Sequence, residues 1–205
     1  MSDHYFTAEP ASAADIRLLR VELAGRPLEL RTARGVFSHD RLDQGTAVLL
    51  DRAPAPPATG TLLDLGCGWG PIAISLALLS PAASVVAVDV NERSLDLLRV
   101  NAAGLSLTNV TVSQPDDVPA DVRFAAIYSN PPIRVGKAAL HEMLMRWLPR
   151  LEPGAPAFLV VQRNLGSDSL QAWLHGELGP GGYQVSRLAS AKGFRVLRVI
   201  APPEP

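Results

Sequence analysis

Hydrophobic and polar positions change rhythm along this 205-residue chain. Leu28-Glu-Leu-Arg-Thr32 alternates strictly, and Asp15 to Leu23 alternates less cleanly. An Ala-Gly-Arg-Pro turn joins them, so the pair predicts a β-hairpin. A loop from Gly35 leads into a helix over about 43–51. From Thr61 onward, short apolar runs at 61–66, 84–89, 109–113, 124–129 and 155–162 read as buried strands. Between them, 70–79, 92–103, 138–148 and 167–176 read as helices. Runs at 183–189 and 194–200 close the chain as a second hairpin. Strand–helix alternation predicts an α/β fold, a parallel sheet with helices on both faces. Ala53-Pro-Ala-Pro-Pro-Ala-Thr-Gly60 is a stiff linker. It divides an N-terminal hairpin and lid (1–52) from a main body (61–205), the whole forming one compact unit. Residues 1–14 are small or polar and are expected to be loosely held.

The chain is organised around Thr61-Leu-Leu-Asp-Leu-Gly-Cys-Gly-Trp-Gly-Pro-Ile72. A strand stops at Gly66, Gly68 and Gly70, and a helix follows. Glycines let backbone approach a ligand closely, and the helix start offers unpaired N–H groups. The dinucleotide fingerprint is G-x-G-x-x-G; this loop is G-x-G-x-G, with Asp64 two residues ahead. A pyrophosphate does not need that acid, whereas a ligand carrying an ammonium group can use it. The loop, with Cys67 inside it, resembles motif I of class I S-adenosylmethionine (SAM) methyltransferases. Val85-Val-Ala-Val ends in Asp89, about 20 residues on, where a carboxylate can accept bonds from two ribose hydroxyls; Val90 lies beside it. After the third strand of the body, Asp116 or Asp117 is a candidate for the adenine amine. Asp117 is preferred because Val118 follows as a wall for the ring. A solvated turn explains that acid pair equally well.

Ala125-Ala-Ile-Tyr-Ser-Asn-Pro-Pro-Ile133 is the most specific signal. A strand delivers Asn130, Pro131, Pro132 and Ile133 to the cofactor edge of the sheet. The motif resembles the (Asn/Asp/Ser)-Pro-Pro-aromatic motif of methyltransferases acting on planar nitrogen. Such a nitrogen is a poor nucleophile because its lone pair is delocalised. The Asn130 oxygen and a main-chain carbonyl of the Pro-Pro segment can each hold one N–H, turning the lone pair toward the methyl group. The prolines hold both acceptors in place. The fourth position is usually aromatic; Ile133 forgoes base stacking, worth ~1–3 kcal/mol. Phe37 or Trp69 could supply that ring.

Nearly the whole chain resembles the "methyltransferase small" domain, the catalytic unit of bacterial 16S rRNA guanine-N2 methyltransferases of the C type. The resemblance is carried by His4-Tyr-Phe6, Gly35-Val-Phe-Ser38, Leu42-Asp-Gln-Gly-Thr46, Asp64 to Gly70, Ser129 to Lys137, Val161-Gln-Arg-Asn164 and Lys192 to Arg198. It implies a Rossmann-like seven-stranded class I sheet whose last strand is antiparallel, with the N-terminal hairpin and helix as an extension. It implies SAM as cofactor, with Phe37 and Thr46 closing over it. It implies 16S rRNA or the small ribosomal subunit as partner, faced by Arg134, Lys137, Arg163, Lys192 and Arg195. The better-known enzymes duplicate this domain; this chain carries one copy, so RNA-docking surface is either missing or supplied by a homodimer.

Composition narrows the alternatives. Net charge is -1, but the distribution is uneven. Residues 40–122 hold 10 acids and 4 bases, and 123–205 hold 5 acids and 10 bases. The basic last third can attract phosphate locally; ordinary surface arginine accounts for it as well. A single cysteine excludes an internal disulfide framework. Four scattered histidines give no metal-ligand spacing, so no metal is expected. His141 reads as a surface histidine. No run is long and apolar enough to span a membrane, and the first residues lack a signal-peptide pattern; a cytoplasmic protein is expected. The leading function is methylation of an exocyclic guanine amine. An N-methyltransferase acting on a protein or small molecule, and a non-catalytic SAM-binding partner, are the alternatives.

Overall fold

A computed structural model describes residues 16–204; His4-Tyr-Phe6, Asp15 and the expected loose N-terminus lie outside them. The chain begins with strands β1 (Ile16–Leu23) and β2 (Arg26–Ala33), an antiparallel hairpin. Helix α1 (Gln44–Arg52) follows. The body then runs β3 (Thr61–Leu65), α2 (Pro71–Leu79), β4 (Ser84–Val88), α3 (Glu92–Gly104), β5 (Val110–Ser113) and β6 (Ala126–Ser129). It continues with α4 (Lys137–Trp147), β7 (Pro156–Gln162), α5 (Ser167–Leu178), β8 (Gln184–Ala191) and β9 (Phe194–Ile200). The sheet order is β5-β4-β3-β6-β7-β9-β8. β3 to β7 are mutually parallel. The last strand, β9, is antiparallel to both its neighbours. The strand order reverses beside β3, and ligands bind such sheets at the carboxyl ends flanking that switch.

Strand alternation divides the core. Leu62, Ala126, Tyr128, Phe158 and Val160 face one layer, filled by α1, α2, α3 and the hairpin. Leu63, Ile127, Leu159 and Leu197 face the other, filled by α4 and α5. The hairpin is docked rather than swinging. Asn101 of α3 accepts Arg31 N–H at 2.7 Å and donates to the Arg31 and Trp69 carbonyls at 2.9 and 3.1 Å. Leu23, Leu30 and Ala33 share one buried cluster with Ile72 and Leu98. The proline segment is tied down as well: Tyr128 Oη donates to the Pro54 carbonyl at 3.3 Å and Ser80 Oγ to that of Pro56 at 3.4 Å.

Helix boundaries follow local chemistry. Asp43 caps α1, its Oδ2 accepting Thr46 N–H at 2.9 Å, and Asn91 caps α3 through Ser94 N–H. α2 has no such cap of its own, because Gly70 precedes it. Asp64 reaches up from β3 instead, and its Oδ2 accepts Ala73 N–H at 2.8 Å. Gly70 sits at φ +100°, and an added Cβ would overlap the Leu98 side chain. Close packing of loop on helix therefore requires glycine there. Three short 3₁₀ turns at 115–117, 133–135 and 163–165 break the chain where β5, β6 and β7 leave the sheet. The apolar rhythm did not announce them, because three residues are too few to show a period.

Candidate active site

A cavity of about 620 Å³ opens at the carboxyl ends of β3, β4, β6 and β7. The glycine loop forms one wall. Gly66 and Cys67 donate their N–H groups to the Val88 carbonyl, each at 2.9 Å, and Gly68 donates to Asp89 Oδ2 at 2.8 Å. Asn91 N–H binds the other Asp89 oxygen at 2.9 Å. These bonds fold the loop against β4 and hold the Asp89 carboxylate at the rim. Burial raises the Asp89 pKa above the usual carboxylate value, and the main-chain N–H groups of Asn91, Gly68 and Val90 oppose the rise. At Gly68 a Cβ would meet nothing within 4 Å, so the backbone itself borders open space.

Asp64 lies behind this wall. It is fully buried, and its Oδ1 has no hydrogen-bond partner among the described residues. Desolvation pushes its pKa up to about 8, against the Ala73 N–H bond that favours the anion. An unpaired buried carboxylate oxygen next to a cofactor loop is a group awaiting a positive partner. Unlike Gly66, Cys67 and Gly68 of the loop, Asp64 does not itself border the cavity. Cys67 lines the cavity but is 3% exposed, and burial raises its thiol pKa well above normal. That suits a packing residue, not a nucleophile.

The opposite wall is the segment after β6. Ser129 Oγ donates to the Leu65 carbonyl at 2.6 Å, locking β6 to β3 at the rim. Pro132 has φ -74° and ψ 78°, and Ile133 N–H donates to the Pro131 carbonyl at 2.8 Å. That is an inverse γ-turn, which reverses the chain within three residues. Asn130, Pro131, Pro132 and Ile133 all line the cavity. The Asn130 amide nitrogen donates to Asp43 Oδ2 at 2.7 Å and to Thr46 Oγ1 at 3.0 Å.

The structure brings Gly66, Cys67, Gly68, Asp89, Val90, Phe37 and Thr46 to the same cavity as the Asn-Pro-Pro segment. Asp116 and Asp117 do not line it. Both are exposed, and Arg146 Nη1 binds Asp116 Oδ1 at 2.7 Å. Pro115 lines the cavity at that point, because the 3₁₀ turn at 115–117 turns the acids to solvent. Val118, expected as a wall, is buried in the α4–α5 layer and does not border the cavity. Of the two rings expected to replace the missing aromatic, Phe37 lines the cavity at 44% exposure. Trp69 lines it at 2%, with its indole N–H donated to the Ser38 carbonyl. Sequence reasoning missed Asp43, Phe194, Glu142 and Gln162, all of which border the cavity. Asp43, Gln162 and Phe194 stand in stretches that carry the family resemblance, but nothing in those stretches assigns them a role. His141 is half-buried and stacks on Trp173, ring centroids 3.5 Å apart, so it is a packing residue between α4 and α5. Arg134, Lys137, Arg163 and Lys192 are exposed, whereas Arg195 is mostly buried and paired with Asp168.

The seven-stranded order with its antiparallel last strand and the glycine loop at the switch point are those of the class I methyltransferase fold. Residues 27–198 match the methyltransferase small domain, and the chain belongs to that family. An uncharacterised Bacillus subtilis protein, YbxB, is 33% identical over 97% of this chain and 98% of its own length. Ribosomal RNA small subunit methyltransferase C of Pseudomonas aeruginosa is 33% identical over 92% of this chain. The chain spans 56% of that relative's length. Among solved structures, the Thermus thermophilus 16S rRNA N2 G1207 methyltransferase, in complex with AdoMet and guanosine, is 25% identical. It superimposes with a TM-score of 0.77 over 95% of this chain and 52% of that one. A Pyrococcus furiosus methyltransferase, 19% identical with a TM-score of 0.59, shares the fold. The protein is a SAM-dependent methyltransferase. None of the described helices is long and apolar enough to cross a membrane.

Proposed function

We propose that this chain methylates the exocyclic N2 amine of a guanine in small-subunit ribosomal RNA. One observation carries the reading: Asn130 and its proline turn border the same cavity as Gly66, Gly68 and Asp89. Bound SAM supplies a methyl group on a positively charged sulfur, already activated toward a nucleophile. The chain's own residues hold and orient. Asp89 would accept the ribose hydroxyls, and Asp64, buried behind the glycine loop, would favour a positive ammonium end at that wall. Val90 and Pro115, which line the cavity, would flank the adenine. Phe37 and Thr46 close the cavity from the N-terminal side.

The substrate amine needs its lone pair turned out of the ring. Asn130 Oδ1 and a main-chain carbonyl of the proline turn accept its two N–H groups, which fixes that orientation before reaction. The Pro131 carbonyl already accepts Ile133 N–H, and a carbonyl has a second lone pair to offer. No general base is needed ahead of transfer, since the amine proton leaves only after the nitrogen has become positive. The Pseudomonas aeruginosa and Thermus thermophilus relatives are named for small-subunit rRNA, which supports an RNA substrate. Exposed Arg134, Lys137, Arg163 and Lys192 are suited to a phosphate backbone.

The test uses small subunits and 16S rRNA from cells lacking this gene, with methyl-labelled SAM. Label in N2-methylguanosine after digestion supports the reading. Label absent from RNA, with SAM binding measured in parallel, overturns the RNA substrate. Ile133 in the usual aromatic position favours a second reading, an N-methyltransferase acting on a protein or small molecule. Incubation with protein fractions and metabolites under the same label distinguishes it.

A further inference from the structure

We propose that Asp43 is a positioning residue that sets which end of the Asn130 amide faces the substrate. The inference rests on the reading of Asn130 as the amine acceptor, and it deepens it.

An asparagine amide is nearly symmetric in shape, so packing alone does not decide between its oxygen and nitrogen. Only the oxygen can accept an amine N–H; the NH2 group in its place would oppose one donor with another. The surroundings of Asn130 make the choice. Asp43 Oδ2 accepts Thr46 N–H at 2.9 Å, and a main-chain N–H can only donate, so that oxygen is an acceptor. The Asn130 atom 2.7 Å from it must therefore be a donor, the amide nitrogen. Thr46 Oγ1, 3.0 Å from the same nitrogen, takes its second hydrogen. Both amide hydrogens are thus spent toward α1. Among the described residues no donor reaches Oδ1, and Asn130 lines the cavity.

The clamp has a built look. Asp43 and Thr46 flank Gly45, and a Cβ there would lie 2.9 Å from Asp43 Oδ2 and 3.0 Å from Phe194 Cε1. Glycine leaves room for the carboxylate and the ring together. An N-cap alone needs only Ser, Thr, Asn or Asp. Serine would cap the helix but is one atom too short to reach Asn130. Asparagine could place its Oδ1 where Oδ2 now lies and keep both bonds. The pair of substitutions therefore separates capping from positioning.

The test compares Asp43→Ser, Asp43→Asn and Thr46→Val with wild type. Thermal denaturation and SAM titration come first; all three variants should remain folded, and the two Asp43 variants should bind SAM with nearly unchanged Kd. The decisive structural readout is the Asn130 side-chain NH2 resonance in 15N-labelled protein. In wild type and Asp43→Asn it should be shifted and protected from exchange; in Asp43→Ser it should lose both. Methyl transfer to the accepted amine should then fall in kcat by on the order of 10²-fold in Asp43→Ser. KM for the substrate should change little, Asp43→Asn should recover most of the rate, and Thr46→Val should fall between. An Asn130 resonance equally protected in Asp43→Ser overturns the proposal, as does a kcat equal to wild type. If wild type transfers no methyl to any amine while the resonance behaves as described, the reading of the reaction fails and the clamp stands.

Discussion

Asp64 offers a stringent test of how this site is assembled, because its carboxyl is buried with one oxygen unpartnered. Its pKa rises from 3.8 to about 8, chiefly through desolvation, with the Asp89 charge adding to it. The folded protein therefore keeps a proton that the unfolded chain gives up near pH 4. Stability from this group is complete below about pH 4 and is lost as pH climbs toward 8. Each pKa unit corresponds to about 1.4 kcal/mol, so ligand-free protein should lose about 4 kcal/mol through Asp64 between about pH 5 and 8. Asp64→Asn removes the titration. The asparagine oxygen keeps the Ala73 N–H bond, and its buried NH2 adds a penalty that does not vary with pH. Other groups, Asp89 included, titrate in both proteins and largely cancel. The Tm of Asp64→Asn relative to wild type should therefore rise with pH. At ~2–4 °C per kcal/mol for a chain of this size, the change is roughly 10 °C. On the proposed placement of SAM, its saturation should flatten the wild-type curve, because an ammonium near Asp64 would stabilise the anion. Differential scanning calorimetry across that range, with and without SAM, measures both. A Tm difference that stays constant with pH would refute the reasoning: Asp64 would then be ionised throughout, and its burial carries no penalty for SAM to relieve.

Three further outcomes follow from the geometry. Asp89→Ala removes the acceptor for Gly68 and Asn91 N–H; SAM Kd by calorimetry should weaken by about 10- to 100-fold, and an unchanged Kd would place the ribose elsewhere. Gly70→Ala forces a side chain into the left-handed region and into Leu98, and should lower stability by about 2–5 kcal/mol. Combined with Leu98→Ala it should cost less than the sum of the two single losses, whereas additive losses would mean the strain is purely backbone. Asn101→Ala leaves Arg31 N–H and two carbonyls without their partner, and should cost about 2 kcal/mol. Hydrogen exchange over 26–33 should accelerate first; uniform exchange across the chain would mean the hairpin does not open on its own.

What the sequence made legible is what short-range rules control. The inner parallel strands β3, β4, β6 and β7 are apolar runs because both faces are covered. The glycine loop announces itself because Gly66, Gly68 and Gly70 all take positive φ. The Asn-Pro-Pro segment stands out because prolines restrict the chain locally. What stayed hidden was set by side chains meeting across the fold or by turns too short to have a rhythm. Asp116 and Asp117 are adjacent, and nothing in their order tells which way a 3₁₀ turn points them. Asp64 reads naturally as a cofactor acid, yet half of it is committed to capping α2, a helix whose own N-cap is a glycine. Asn101 looks like any asparagine near a helix end, and its partner Arg31 is 70 residues away. Asp43 is the clearest instance. A helix start with an acid before it is fully explained by capping, so local reasoning stops satisfied. Its second bond, to Asn130, spans 87 residues and exists only because α1 packs across β7 and β9, which brings its N-terminus to the residue that follows β6. A residue whose local role is complete is thus a good place to look for a distant one, since the cap that fixes its rotamer also aims its remaining lone pairs.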